Sequence, residues 1–183
     1  APIIITSLGP SARIVKAVHD YGGIVLHDVS SSRHAEKALA EGVDGLVLLC
    51  AGGGGLSGTL NPFAFVSEVR RFYDGFLAVS GGITGGRGVA AIRALGADAA
   101  YMGTRFIASA EARADPDYQQ MIVDCRASDI IFTPHINGVP GSFMRPSIVA
   151  AGLDPDNLEP KDKSSFDINH KERPKAWSRI WSA

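Results

Sequence analysis

Cysteine is scarce: the chain of 183 residues holds two, Cys50 and Cys125. Their positions build no disulfide framework and no zinc-ligand spacing. No pair of histidines with a carboxylate stands at metal-site spacing either, so no metal is expected. Charge of one sign is also lacking, with a formal net charge of −1. No basic stripe or run breaks that balance, so nucleic acid is not expected as a partner. Gly, Asp or Ser interrupts every apolar run before it reaches the length of a membrane span, and no membrane partner is expected. The first residues, Ala-Pro-Ile-Ile-Ile, carry no basic region of the secretory kind, and a cytoplasmic setting is expected. No G-x-G-x-x-G follows the first apolar run, where a Rossmann dinucleotide site would need it.

What is present is a chain able to bury a core. It is 45% hydrophobic and 20% charged, the balance of a globular domain rather than a disordered segment. Short β-branched or apolar runs alternate with segments of helical spacing. Strands are predicted at 2–6, 24–26, 46–49, 77–79 and 99–102. Between them helices are predicted at 12–21, 33–41, 61–72 and 87–95. The inward positions are Ile14, Val15, Val18 and Tyr21, then Ala35, Ala38 and Leu39, then Val66, Val69 and Phe72, and last Val89, Ile92 and Leu95. After Phe106 the alternation stops. A helix interrupted near Asp115-Pro116 is predicted over 108–125, an extended run at 129–133, a loop at 134–146 and a short helix at 147–152. A polar, Pro-containing stretch over 153–171 precedes a terminal helix at 174–181, in which Trp177 and Trp181 serve packing.

The stretch LAVSGGITGGRGVAAIRALGADAAYMGTRF (77–106) organises the rest. It reads strand, glycine turn, helix, strand, glycine turn. Both glycine turns therefore end neighbouring parallel strands. Glycines there let backbone N–H groups approach an anion, and β/α barrels place phosphate in the loops after their last two strands. We read Gly81, Gly82, Gly103 and Thr104 as the phosphate grip of a cofactor, with Ser80 and Met102 beside it. Five βα strands cannot close an eight-stranded barrel. The predicted fold is an α/β, TIM-type (β/α)8 barrel, of which residues 1–183 hold the last five βα units (1–106) and a C-terminal helical and loop extension (107–183). The first strands of such a barrel are expected elsewhere.

Three segments carry a resemblance to a known family: GVDGLVLLCAGGGGLSGTLNPFAFVSEVR, LAVSGGITGGRGVAAIRALGADAAYMGTRFIAS and RPSIVAAGLDPDNL. Together they resemble nitronate monooxygenase, the flavin-dependent family also called 2-nitropropane dioxygenase. The resemblance implies non-covalent FMN, an oxidoreductase acting with O2 on an alkyl nitronate or nitroalkane, and an N-terminal half of the barrel that completes the site. Association into a homo-oligomer is left open. The family's glycine loop reads A-G-x-G-G-H-x-G, and its histidine is the implied base or polar anchor for the nitro group. Here the loop is AGGGGLSG (51–58), and Leu56 stands where that histidine is implied. Leucine neither accepts a proton nor donates a hydrogen bond, and the neighbouring Ser57 is a weak stand-in. His27, beside Asp28 at the end of the second strand, and His135, in the loop after the extended run, are the remaining polar candidates. Ser7, Cys50 and Ala51 end strands at the same mouth. The alternatives are an NAD(P)H oxidoreductase of the enoyl-ACP reductase type and a flavin-binding barrel with impaired catalysis.

Overall fold

The structure, a computed structural model, describes residues 1–160 and 180–183. Its first elements are β1 (Ile3–Thr6), α1 (Ala12–His19), β2 (Ile24–Val29), α2 (Ser32–Ala40), β3 (Gly45–Leu49), β4 (Gly55–Leu56) and α3 (Pro62–Val69). They are followed by β5 (Phe76–Ser80), α4 (Gly86–Ala94), β6 (Ala99–Ala100), α5 (Thr104–Ile107), α6 (Pro116–Asp124), β7 (Ile130–Thr133), β8 (Gly141–Met144) and α7 (Arg145–Ala150). These elements form two compact units: Ala1–Gly52 with Gly58–Met102, and Gly53–Ser57 with Gly103–Ala183. Among the described residues no helix is long and apolar enough to cross a membrane.

The first unit holds five parallel strands in the order β1-β2-β3-β5-β6. Strand alternation gives the sheet two different faces. Val25, Val29, Leu46, Leu48, Leu77 and Val79 point to the helices, where Val15, Val18, Ala35, Ala38, Phe65, Val66, Val69 and Ile92 cover them. The opposite face carries Leu26, Val47 and Ala78, with Leu49 and Ala99 packed beside them. In a closed β/α barrel that second face is the packed interior. Here Ile3, Ile5 and Phe76, which alternate onto it, stay exposed. Local signals set the helix starts. Ser31 accepts the His34 N–H, and Asn61 accepts the Phe63 N–H at 2.9 Å with Pro62 in the first turn. Such caps satisfy donors that have no partner inside the helix.

Three inward predictions are corrected. Tyr21 and Phe72 are exposed, because α1 ends at His19 and α3 at Val69. The apolar period continues past each helix, but the chain has already turned. Ile14 is exposed as well.

A repeated device closes the N-terminal edge of the sheet. Gly42-Val43-Asp44 and Gly96-Ala97-Asp98 each place an aspartate just before a strand. Asp44 donates its N–H to the Val25 carbonyl at 2.8 Å and accepts the Val25 N–H at 2.7 Å. Asp98 does the same with Leu77, at 2.8 Å in both directions. Asp98 also takes the Arg70 guanidinium at 2.8 Å. The Leu77 N–H, then the arginine, hold the Asp98 carboxyl below the usual Asp range. Asp98→Ala is therefore expected to cost about 1–2 kcal/mol at neutral pH, the usual penalty for a backbone donor left without a partner. A lowered folded pKa contributes stability above the ordinary Asp value, and that stability is lost as pH falls through the folded value. The gap between wild type and Asp98→Ala in urea melts should close below about pH 3.9. A gap that stays constant into acid would refute the charged form's role.

The second unit departs from the prediction for 134–146. Residues Gly141–Met144 form a strand, the centre of a three-stranded antiparallel sheet in the order β4-β8-β7. Two residues of the long glycine loop, Gly55 and Leu56, pair with Ser142 and Gly141. Residues 180–183 also join β8: the Met144 N–H donates to the Trp181 carbonyl at 2.9 Å, and Phe143 bridges Ser182. Trp181 stacks on Tyr118 with ring centroids 5.0 Å apart, so it packs as expected, though not within a helix. The remainder of the predicted terminal helix, with Trp177, lies outside the described residues. The helix predicted over 108–125 shrinks to α6. Pro116 disfavours helical backbone at Asp115, which instead caps α6 by accepting the Asp117 N–H at 2.9 Å.

Candidate functional site

Parallel strands bring their C-terminal ends to one edge, and β3, β5 and β6 deliver the glycine loops there. Gly81 follows β5 directly and has φ +129°, a conformation that a side chain rarely adopts. A Cβ at Gly81 would lie 2.6 Å from the Ala51 carbonyl oxygen and 3.0 Å from Cys50 Cβ. Gly82 donates its N–H to the Gly52 carbonyl at 2.8 Å. The loops after β3 and β5 thus lock together backbone to backbone. Ser80 is buried and its hydroxyl donates to the Leu48 carbonyl at 3.2 Å. On the neighbouring strand, Tyr101 donates its N–H to the Val79 carbonyl at 2.8 Å, and Met102 follows half-buried. Ser80, Gly81, Gly82 and Met102 therefore gather at adjacent strand ends. Gly103 and Thr104 come next along the chain and open the second unit.

A Cβ at Gly82 would meet nothing within 4 Å, and the same holds at Gly103. In the second unit a Cβ at Gly54 would collide with the Thr104 hydroxyl, which ties the AGGGGLSG loop to Thr104.

The polar candidates separate by face. His27 is 3% exposed and alternates with Val25 and Val29 on the helix side. Its Nδ1 lies 2.7 Å from the Thr6 hydroxyl. Burial pushes the imidazole below its ordinary pKa, although Asp28 opposes the shift. His27 therefore packs as a core residue, turned away from the open face. Its neighbour Asp28 alternates onto that open face, half-buried. Burial pushes the Asp28 carboxyl above the usual range, against a hydrogen bond from Ser7 and the charge of His27. Sequence reasoning singled out the His-Asp pair but favoured its histidine. The signal that distinguishes them is the apolar partners two residues away on either side of His27.

Cys50 is fully buried in the helix-side core, and burial pushes its thiol up to about 12. It is a core residue and not a mouth residue. Leu56 lies on β4, half-buried, opposite Gly141. The adjacent Ser57 hydroxyl is buried without a hydrogen-bond partner. In the same unit, His135 donates its N–H to the Thr133 hydroxyl at 3.1 Å, and its Nδ1 is buried without a partner.

The repeated βα units, with their glycine turns at the C-terminal edge, define an α/β protein of the TIM-barrel class. Residues 1–151 match the family model described as nitronate monooxygenase, and the chain belongs to that family. It is 33% identical over 160 residues to a nitronate monooxygenase of Paraburkholderia phytofirmans, covering 82% of this chain and 44% of that protein. Among solved structures it resembles FabK from Thermotoga maritima, with a TM-score of 0.73, 32% identity, and coverage of 79% of this chain and 46% of that one. A nitroalkane oxidase from Streptomyces ansochromogenes shares the fold, with a TM-score of 0.73 at 24% identity, over 79% of this chain and 45% of that one. The chain spans less than half the length of each of these proteins.

Proposed function

We propose that this chain carries the flavin-phosphate part of an FMN-dependent oxidoreductase that oxidises alkyl nitronates with O2. The observation that carries the reading is the glycine-lined strand edge in a chain of this family. Gly81 admits no side chain, and open space lies before Gly82 and Gly103. Gly81, Gly82, Gly103 and Thr104 would hold the phosphate, with Ser80 and Met102 shaping the strand ends. FMN, when bound, supplies the electron acceptor. Residues 1–106 and 107–183 belong in this reading to one barrel domain, completed by the strands that the family has beyond this length.

The remaining residues select the substrate. A nitronate is already the deprotonated form, so its oxidation needs no base. Leu56 leaves the glycine loop without one, so that loop supplies no base for a neutral nitroalkane. Leu56 also supports a second reading, an NAD(P)H-dependent reductase of the enoyl-ACP reductase type. Hydride delivery asks no base of that loop. Anaerobic mixing of the flavin-loaded protein with a nitronate, and separately with NADH and NADPH, tests the two. Bleaching of the flavin by nitronate is the expected result. Bleaching by a nicotinamide alone would overturn the nitronate reading.

A further inference from the structure

The open face of the sheet carries an acid that the loop substitution makes consequential. Strands β1 and β2 pair with Thr6 opposite His27. Their next residues, Ser7 and Asp28, alternate to the other face. Thr6 and His27 bond on the helix side at 2.7 Å, and Ser7 stands beside Asp28 on the open side, where its hydroxyl holds the Asp28 carboxyl down against burial. Asp28 pairs in register with Val47, which belongs with Leu26 and Ala78 to the apolar cluster of that face. A carboxylate at the C-terminal end of a strand, above an apolar floor, stands at the mouth where barrel chemistry takes place.

From this we infer that Asp28, oriented by Ser7, is the catalytic base that takes the α-proton of a neutral nitroalkane, the task for which Leu56 is unfit. The inference rests on the nitronate reading above. In the step, the α-carbon–hydrogen bond breaks and its proton passes to an Asp28 carboxylate oxygen. The electron pair of the broken bond moves into the nitro group, and the product is the nitronate. Charge and atoms balance without any further reactant. The position suits the work in a second way. An apolar setting raises the basicity of a carboxylate, and burial acts on Asp28 in that direction. Few charges oppose it: β1 and β3 carry no titratable side chain, α1 and α2 lie on the other face, and His27 is the titratable group that acts on Asp28.

The test compares kcat/KM for a neutral nitroalkane with that for its preformed nitronate, in the flavin-loaded protein. Asp28→Asn is expected to lower the ratio of the two about 100-fold, within the usual range for loss of a general base. In wild type the neutral-substrate rate should rise with pH through a limb above the ordinary Asp value of about 3.9. Ser7→Ala should move that limb to higher pH, because the Ser7 hydrogen bond lowers the Asp28 pKa. It also carries the test should Asp28→Asn fail to fold. A measurement free of turnover is the pH-dependent infrared difference between wild type and Asp28→Asn, which should show a carboxylic acid titrating above that same value. An unchanged ratio in Asp28→Asn, or a limb unmoved in Ser7→Ala, overturns the assignment while the nitronate reading stands. So does a wild-type protein that oxidises nitronate but no neutral nitroalkane. Failure to oxidise the nitronate itself overturns both.

Discussion

Gly81→Val should abolish flavin binding, raising the dissociation constant on the order of 100-fold or more, a loss of roughly 3 kcal/mol. Two effects act together. The backbone at φ +129° is closed to a β-branched residue, and holding it there costs about 1–3 kcal/mol. The new Cβ would also sit 2.6 Å from the Ala51 oxygen. That oxygen belongs to backbone and cannot swing away like a side-chain tip. The loops after β3 and β5 must therefore part, and the 2.8 Å bond between Gly82 and Gly52 goes with them. A cradle made of backbone has no other way to adapt. Flavin fluorescence quenching on titration with FMN reads the loss directly. Flavin affinity within threefold of wild type would show that the Gly81 turn is not part of the grip.

Phe65→Ala should be the most damaging single change to the fold, at about 3–5 kcal/mol. Phe65 is 0% exposed and heads the fully buried side chains by volume. It projects from α3 into the cluster formed with Leu46, Leu48, Leu77 and Val79, so its removal leaves a cavity under two strands, β3 and β5. Small domains have only about 5–15 kcal/mol in total, and much of that would be gone. Urea melts of the two proteins give the difference. A loss below about 1 kcal/mol would mean that the neighbouring helices collapse onto the gap, contrary to dense packing.

The first unit was legible in sequence because each of its elements announces itself locally. Apolar runs such as Leu46–Leu49 read as strands covered on both faces, and Asn61-Pro62 marks a helix start. Parallel order then follows from alternation with helices. The second unit was less legible. Gly141–Met144 lies between Pro140 and Pro146 and reads as a loop. Its partners are Gly55-Leu56, far earlier in the chain, and Ser182, far later. Only tertiary pairing makes it a strand. The same division holds at the candidate site. The glycine turns stand out from their spacing, but the clash awaiting a side chain at Gly81 depends on where Ala51 folds. Likewise the sequence placed His27 and Asp28 side by side. The choice between them came from which face the Val25 and Val29 side chains share.

The most direct measurement is the visible absorption spectrum of the purified protein, before and after heat denaturation and removal of precipitate. The account predicts an oxidised flavin spectrum that passes into the supernatant on heating, and a released compound that co-migrates with FMN. A colourless protein that also fails to take up added FMN would contradict it.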